Sequence, residues 1–133
     1  NLPFVGESND DSAVVKWNEK LAELDGFIFI VSEYNHSISG VLKNALDSAY
    51  QTWNNKAAGI VSYGSSGGAR ASEHLRGILA ELQVASVRTH PVLNLFTDFE
   101  KMVTFKPQPM HENTVKVMLD QLHAWANALK GIR

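Results

Sequence analysis

The chain has no cysteine, which excludes disulfides, thiolate nucleophiles, zinc–cysteine sites and iron–sulfur clusters. It has no strong excess of charge: twelve Lys and Arg stand against fourteen Asp and Glu, for a net charge of −2. That gives no electrostatic footing for nucleic acid or an acidic membrane surface. No apolar run approaches the roughly 18 residues of a membrane-spanning helix. Neither nucleic acid nor membrane is therefore expected as a partner. Residues 1–7 show neither the basic nor the long apolar region of a secretory leader, so the expected location is cytoplasmic. The histidines, His36, His74, His90, His111 and His123, form no HxxxH or HExxH pair, and no metal site is expected. At 133 residues the chain is long enough for one domain, residues 1–133, and too short for two.

What is present is an alternation of helical and strand patterns without repeats. Residues 12–24 carry Val14, Val15, Leu21 and Leu24 at helical spacing, with Asp11 or Ser12 as the cap. Asp25-Gly26 breaks the pattern. Residues 27–31 (Phe-Ile-Phe-Ile-Val) form a continuous apolar run of strand length, as expected of a strand buried on both faces of a parallel sheet. A second helix is expected over 39–53, a second strand over 57–63, a turn over 64–68 and a third helix over 69–83. A third strand is expected over 86–92, at an edge because Pro91 has no N–H to donate. Residues 93–110 read as irregular, and a last helix as 113–130. Strands joined by helical crossovers imply a parallel sheet with helices on both faces, and ligands bind such sheets at the carboxyl ends of the strands.

Two loops leave adjacent carboxyl ends here. The first, 32–40, combines an aromatic ring, an amide and hydroxyls beside a helix start. A planar heteroaromatic ligand needs such a mix of apolar wall and aimed donors. The second, 62–70, is rich in glycine, which lets backbone approach a ligand closely. Its spacing fits neither GxGxxG nor a P-loop. The plainer reading of each is a tight strand-to-helix turn.

The first stretch, Ser-Glu-Tyr-Asn-His-Ser-Ile-Ser-Gly-Val-Leu-Lys-Asn-Ala-Leu-Asp (32–47), resembles the signature PEYNxSxPGxLKNAxD of the NADPH-dependent FMN reductase family. Residues 62–71 resemble that family's second loop, SxGxxGGxRA. Ser32 and Ser39 depart from the pattern where the family has proline. The resemblance implies a flavodoxin-like three-layer α/β/α sandwich around a parallel sheet. It implies FMN as cofactor, with NADPH or NADH as hydride donor. The electron acceptor would be a small molecule: a free flavin, quinone, azo compound or metal oxyanion. It also implies site residues. Glu33, Tyr34, Asn35, Ser37 and Ile38 would line one side of the isoalloxazine, and Ser62, Tyr63, Gly64, Gly67 and Gly68 the other. Backbone N–H groups would bond the ring edge, and no side chain need act as acid or base.

The family's N-terminal strand–helix–strand segment, with its phosphate loop, has no counterpart here. The chain is thus expected to be an incomplete copy of a longer protein, lacking roughly 40–50 residues at typical βαβ lengths. Without that segment, the strand at 27–31 would present an unpaired apolar edge, which predicts aggregation. Family resemblance further implies a homodimer or homotetramer, with Tyr50 and Trp53 either at the contact or in the core. Trp125 is another large apolar residue near a helix end. Phe96 and Phe99 would cover a neighbouring subunit's flavin or pack the domain. His36 would face the second substrate or solvent. Arg70 would pair with a cofactor phosphate or, structurally, with Glu33 or Glu73. The alternatives in function are a flavodoxin-type FMN electron carrier and a flavin-free structural relative.

Overall fold

A computed structural model describes residues 2–7 and 12–133. The element order is α1 (Ser12–Ala22), β1 (Gly26–Ser32), α2 (Gly40–Asp47), a 3₁₀ turn (Gln51–Trp53), β2 (Lys56–Gly64) and α3 (Ala69–Glu81). Then come β3 (Val84–Ser86), β4 (Val92–Asn94), β5 (Phe99–Glu100), β6 (Thr104–Phe105), α4 (Met110–Leu129) and a final 3₁₀ turn (Lys130–Ile132). The expected cap Asp11 lies outside the described residues.

β2 is the axis of the sheet. β1 runs parallel to it from Gly26 opposite Ala57 to Ser32 opposite Tyr63. On its other side β2 pairs in parallel with β3 at its amino end and β4 at its carboxyl end. The α/β architecture with a parallel sheet is therefore as the alternation implied. Period-2 alternation sorts the side chains. Val31 and Ile60 face a core completed by Leu21 of α1, Leu46 of α2, Leu75 and Leu79 of α3, and Trp53. α4 covers the opposite face: a Cβ on Gly59 would lie 3.0 Å from Met118 Sδ, and one on Gly26 3.3 Å from Leu122. Glycine at these points lets α4 lie close on the sheet.

Several sequence expectations are corrected. The second helix does not run to Trp53. It ends at Asp47, where the Ser48 hydroxyl and N–H both turn back to Asn44 O. Trp53 is buried and donates its indole N–H to Leu46 O and Ala49 O, each at 3.1 Å, so it belongs to the core and not to a subunit contact. Tyr50 is exposed. The third strand is two strands, β3 and β4, flanking Pro91. Arg76 takes up backbone carbonyls between them, donating to Val87 O at 2.9 Å and Arg88 O at 3.2 Å. The stretch 93–110 is not wholly irregular: it contains the antiparallel hairpin β5–β6, and α4 begins at Met110, ahead of 113.

Among the described residues β1 pairs with β2 alone. The strand at 27–31 is therefore not buried on both faces as expected: Ile28 and Ile30 are exposed on the face opposite the core, and an apolar groove of 440 Å³ runs along the strand, walled by Phe27, Phe29, Leu42 and Trp17.

Candidate functional site

The carboxyl ends of β1, β2 and β4 bring three loops together. The first loop leaves β1 at Glu33, whose N–H continues the sheet by donating to Tyr63 O at 3.1 Å. Tyr34 and Ser37 then exchange two backbone hydrogen bonds at 3.0 Å. Between them Asn35 and His36 sit at φ 46° and 75°. Two consecutive left-handed residues make a type I′ turn, and Asn tolerates that conformation better than most. Those two bonds leave the N–H groups of Asn35 and His36 outside the turn's own pairing. The turn is braced by α3: Ser37 Oγ lies 2.9 Å from His74 Nδ1, and the His36 and His74 rings are 5.8 Å apart. Ser39 caps α2, its hydroxyl accepting from Leu42 N at 3.3 Å.

Glu33 does more than its place in a loop motif suggests. Its side chain is 6% exposed and pairs with the Arg70 guanidinium. It also accepts from the N–H groups of Arg70 at 3.2 Å and Ala71 at 3.4 Å. These belong to the first turn of α3, whose own N-cap, Gly68, has no side chain to offer. A carboxylate from the first loop thus caps the helix that follows the second, where the helix dipole favours a negative charge. Burial works to raise the Glu33 carboxyl, but Arg70 and the two N–H groups outweigh it and hold it below its ordinary range.

In the second loop, Gly67 N donates to Gly64 O at 3.0 Å. Gly67 and Gly68 have φ of 67° and 73°. A Cβ at Gly68 would lie 2.7 Å from Tyr63 N and 2.8 Å from Tyr63 O, and one at Gly67 2.1 Å from Val92 Cγ1. The chain's own turn therefore demands these glycines. Gly64 lies beneath Glu33, a Cβ there falling 3.2 Å from Glu33 Cβ. Ser62 is fully buried and its hydroxyl donates to Gly67 O at 2.7 Å. Ser65 and Ser66 are exposed, and Ser66 Oγ lies 3.2 Å from an Arg70 nitrogen. The Tyr63 ring stacks toward Phe99 (6.2 Å between centroids), and Phe99 toward Phe105 (5.3 Å).

Of the sequence-derived candidates, Glu33, Tyr34, Asn35, Ser37, Tyr63, Gly64, Gly67 and Gly68 do converge at the ends of β1 and β2. Ile38 instead packs its side chain against the core. The sequence reading missed Asn94 and Asp98 in the third loop. An Asn and an Asp four residues apart after a strand are turn formers, and that signal was available. Asn94 Nδ2 donates to Ser65 O at 3.1 Å, and Phe96 N to Asn94 Oδ1 at 2.8 Å. Burial tends to raise the Asp98 carboxyl, but the N–H groups of Gln108 and Asn94 and the neighbouring His111 hold it below its ordinary range. Among the described residues no three side chains are grouped to hold a metal ion, and no helix is long and apolar enough to cross a membrane.

This arrangement meets the NADPH-dependent FMN reductase pattern over residues 1–98. The chain belongs to that family. It is 40% identical over 82 residues to an NAD(P)H-dependent FMN reductase of Schizosaccharomyces pombe, covering 62% of this chain and 41% of that protein. It is 33% identical over 119 residues to a 2-hydroxy-1,4-benzoquinone reductase of a Burkholderia species, covering 82% of this chain and 64% of that one. The chain thus spans less than two thirds of either relative's length. In fold it is similar to FerB, a flavoenzyme NAD(P)H:(acceptor) oxidoreductase from Paracoccus denitrificans, with a TM-score of 0.68 at 21% identity over 98% of this chain and 76% of that one. The fold is flavodoxin-like.

The donor set at the crevice fits an isoalloxazine. It offers exposed residues at both loop tips, Asn35, His36, Ser65 and Ser66, and phenol rings at Tyr34 and Tyr63. The Glu33 charge is already taken up by Arg70 and α3. A flat ring with acceptor atoms along one edge needs N–H donors there and no free anion beneath it.

Proposed function

We propose that this crevice holds the ring of FMN and that the protein is an NAD(P)H-dependent reductase. Its acceptors are small molecules: free flavin, quinone, azo compound or metal oxyanion. One observation carries the reading: Glu33 locks the two loops of the family signature edge to edge, through its N–H on Tyr63 and its carboxylate on α3. Names of the relatives support the same chemistry, since one reduces FMN and another a benzoquinone.

When bound, FMN supplies the chemistry, taking hydride from the nicotinamide and passing electrons on. The chain's residues bind and orient. Tyr34, Asn35 and Ser37 line one side, with Glu33 and Ile38 anchoring the loop from below. Tyr63 lines the other side, with Gly64, Gly67 and Gly68 shaping the second loop and buried Ser62 bracing it through Gly67 O. Backbone N–H groups at the loop tips, Asn35 and His36 in the first loop and Ser65 and Ser66 in the second, steady negative charge on the reduced ring, and holding two flat rings in register removes much of the entropic barrier. No side chain serves as acid or base. The protein works in the cytoplasm as a homodimer or homotetramer, with exposed Tyr50 and Val41 at the contact between copies.

The test is the absorbance spectrum of the whole protein, followed by anaerobic NADPH. Flavin bands that bleach on NADPH, with steady turnover when a quinone is added, are the expected result. A protein that stays colourless after FMN is supplied overturns the reading in favour of a structural relative. Flavin that binds but does not bleach overturns it in favour of an electron carrier.

A further inference from the structure

The third loop carries a buried charge that the functional reading does not use. Asp98 is 2% exposed, yet its carboxylate is bonded on every side. Oδ2 accepts from Asn94 N at 2.8 Å and Thr97 Oγ1 at 3.3 Å. Oδ1 accepts from Gln108 N at 2.9 Å and lies 2.8 Å from His111 Nε2. Its backbone joins the same knot, N donating to Asn94 O at 2.9 Å and O accepting from Lys106 N at 2.8 Å. A buried carboxylate is tolerated when its bonds are complete, and removing partners from such a network is costly. Here the network ties residue 94 to the start of α4.

What residue 94 holds is the second loop. Asn94 Nδ2 donates to Ser65 O at 3.1 Å, and Leu95 N donates to Gly64 O at 3.1 Å. A carbonyl and the N–H of the following residue lie in one rigid peptide plane. Pinning the carbonyls of Gly64 and Ser65 therefore fixes the directions of the N–H groups of Ser65 and Ser66. Both residues are exposed on the crevice.

We infer that Asp98 is a positioning residue: through Asn94 it aims the Ser65 and Ser66 N–H groups at the bound ring. The inference rests on the FMN reading for its ligand and on the hydrogen bonds above for its geometry. His111, on the far side of the knot, secures Asp98 without reaching the second loop.

The experiment compares Asp98→Asn, Asn94→Ala and His111→Gln in the whole protein. Asp25→Asn, at the opposite end of the sheet, serves as control. FMN affinity and flavin midpoint potential are measured, together with amide exchange over 62–68 in the FMN-free protein. Asp98→Asn turns an amide N–H toward other donors. Asn94→Ala removes the grip on Ser65 and the acceptor for Phe96 N, and leaves the Asp98 carboxylate's own bonds in place. Both are expected to weaken FMN binding about tenfold, the scale of one misdirected hydrogen bond, and to shift the potential. His111→Gln has the smaller effect, and the Asp25 control none. Should Asp98→Asn fail to fold, Asn94→Ala carries the test, because its side chain bonds only at the exposed rim of the loop. Folded Asn94→Ala with unchanged FMN affinity and potential overturns the inference. If the unaltered protein takes up no FMN, the site reading falls instead. Exchange over 62–68 then decides the latch by itself: faster exchange in Asn94→Ala supports it, and unchanged exchange overturns it.

Discussion

The two ends of the central sheet are held in opposite ways. At the amino end, charged side chains reach across. Asp25 pairs with Lys130 and Arg133 in the last turn of the chain, and buried Lys56 donates to Leu21 O at the end of α1. At the carboxyl end, backbone conformation and buried carboxylates decide the geometry: Gly67 and Gly68 in the left-handed region, Glu33 capping α3, Asp98 knotting the third loop. Exposed ion pairs rest on high-dielectric attraction and are easily replaced. A turn defined by steric exclusion, or a carboxylate bonded on all sides, has no near substitute. The end that carries the proposed flavin crevice is the end built from parts that cannot be exchanged.

Substitutions at the two ends should therefore separate widely. Gly68→Ala is the largest break. Its Cβ would fall on Tyr63 backbone at a φ of 73°, and a loss of about 3 kcal/mol is expected in urea unfolding. A loss under about 1 kcal/mol would remove steric exclusion from the argument. Glu33→Gln comes next, leaving Arg70 without its partner and α3 with a weaker cap, for a loss of about 2 kcal/mol at neutral pH.

Acid sharpens that second case. The Glu33 carboxyl lies below its ordinary range in the folded state. Its stabilisation is therefore complete above the ordinary carboxyl pKa and disappears as pH falls through the lower folded value. The stability gap between the unaltered protein and Glu33→Gln should close as urea titrations move from neutral to acid. A gap independent of pH would assign the effect to packing. Lys56→Met should change stability by about 1 kcal/mol or less, since burying an ammonium offsets what its hydrogen bond contributes. Asp25→Asn should be the smallest, within the scatter of repeated melts, because its carboxylate and the Lys130 ammonium are substantially exposed.

Much of the frame was legible in the sequence because it rests on local periodicity. The run Phe27–Val31 and the apolar stretch through Ile60 are β1 and β2. Of the apolar stripe Val115, Met118, Leu119, Leu122, Trp125, Ala126 and Leu129, Met118, Leu122 and Ala126 meet the sheet at Gly59 and Gly26, whereas Leu119 and Trp125 are exposed. Failures occurred where distant groups intervene. The split of β3 from β4 depends on Arg76 reaching carbonyls eleven and twelve residues away in sequence. The hairpin β5–β6 has two-residue strands and a turn at Lys101 and Met102, both left-handed without glycine, and neither feature leaves a pattern. Of the site, the two loops were visible as compositions. That Glu33 serves helix α3, and that Asn94 and Asp98 steer the second loop, are properties of contacts between loops that no window of sequence contains.

The cap supplied by Glu33 also orders events in time. Its partners Arg70 and Ala71 lie 37 and 38 residues further along the chain. Closing a loop of that length costs entropy that nearby contacts do not incur. The first turn of α3 is therefore expected to form only after β1 and β2 have zipped along their register. During refolding, helical signal should appear before the crevice is formed, and Glu33→Gln should speed unfolding while leaving the folding rate nearly unchanged. A newly made chain would then be compact before it is able to hold a ligand, with assembly of the crevice marking the last step of folding.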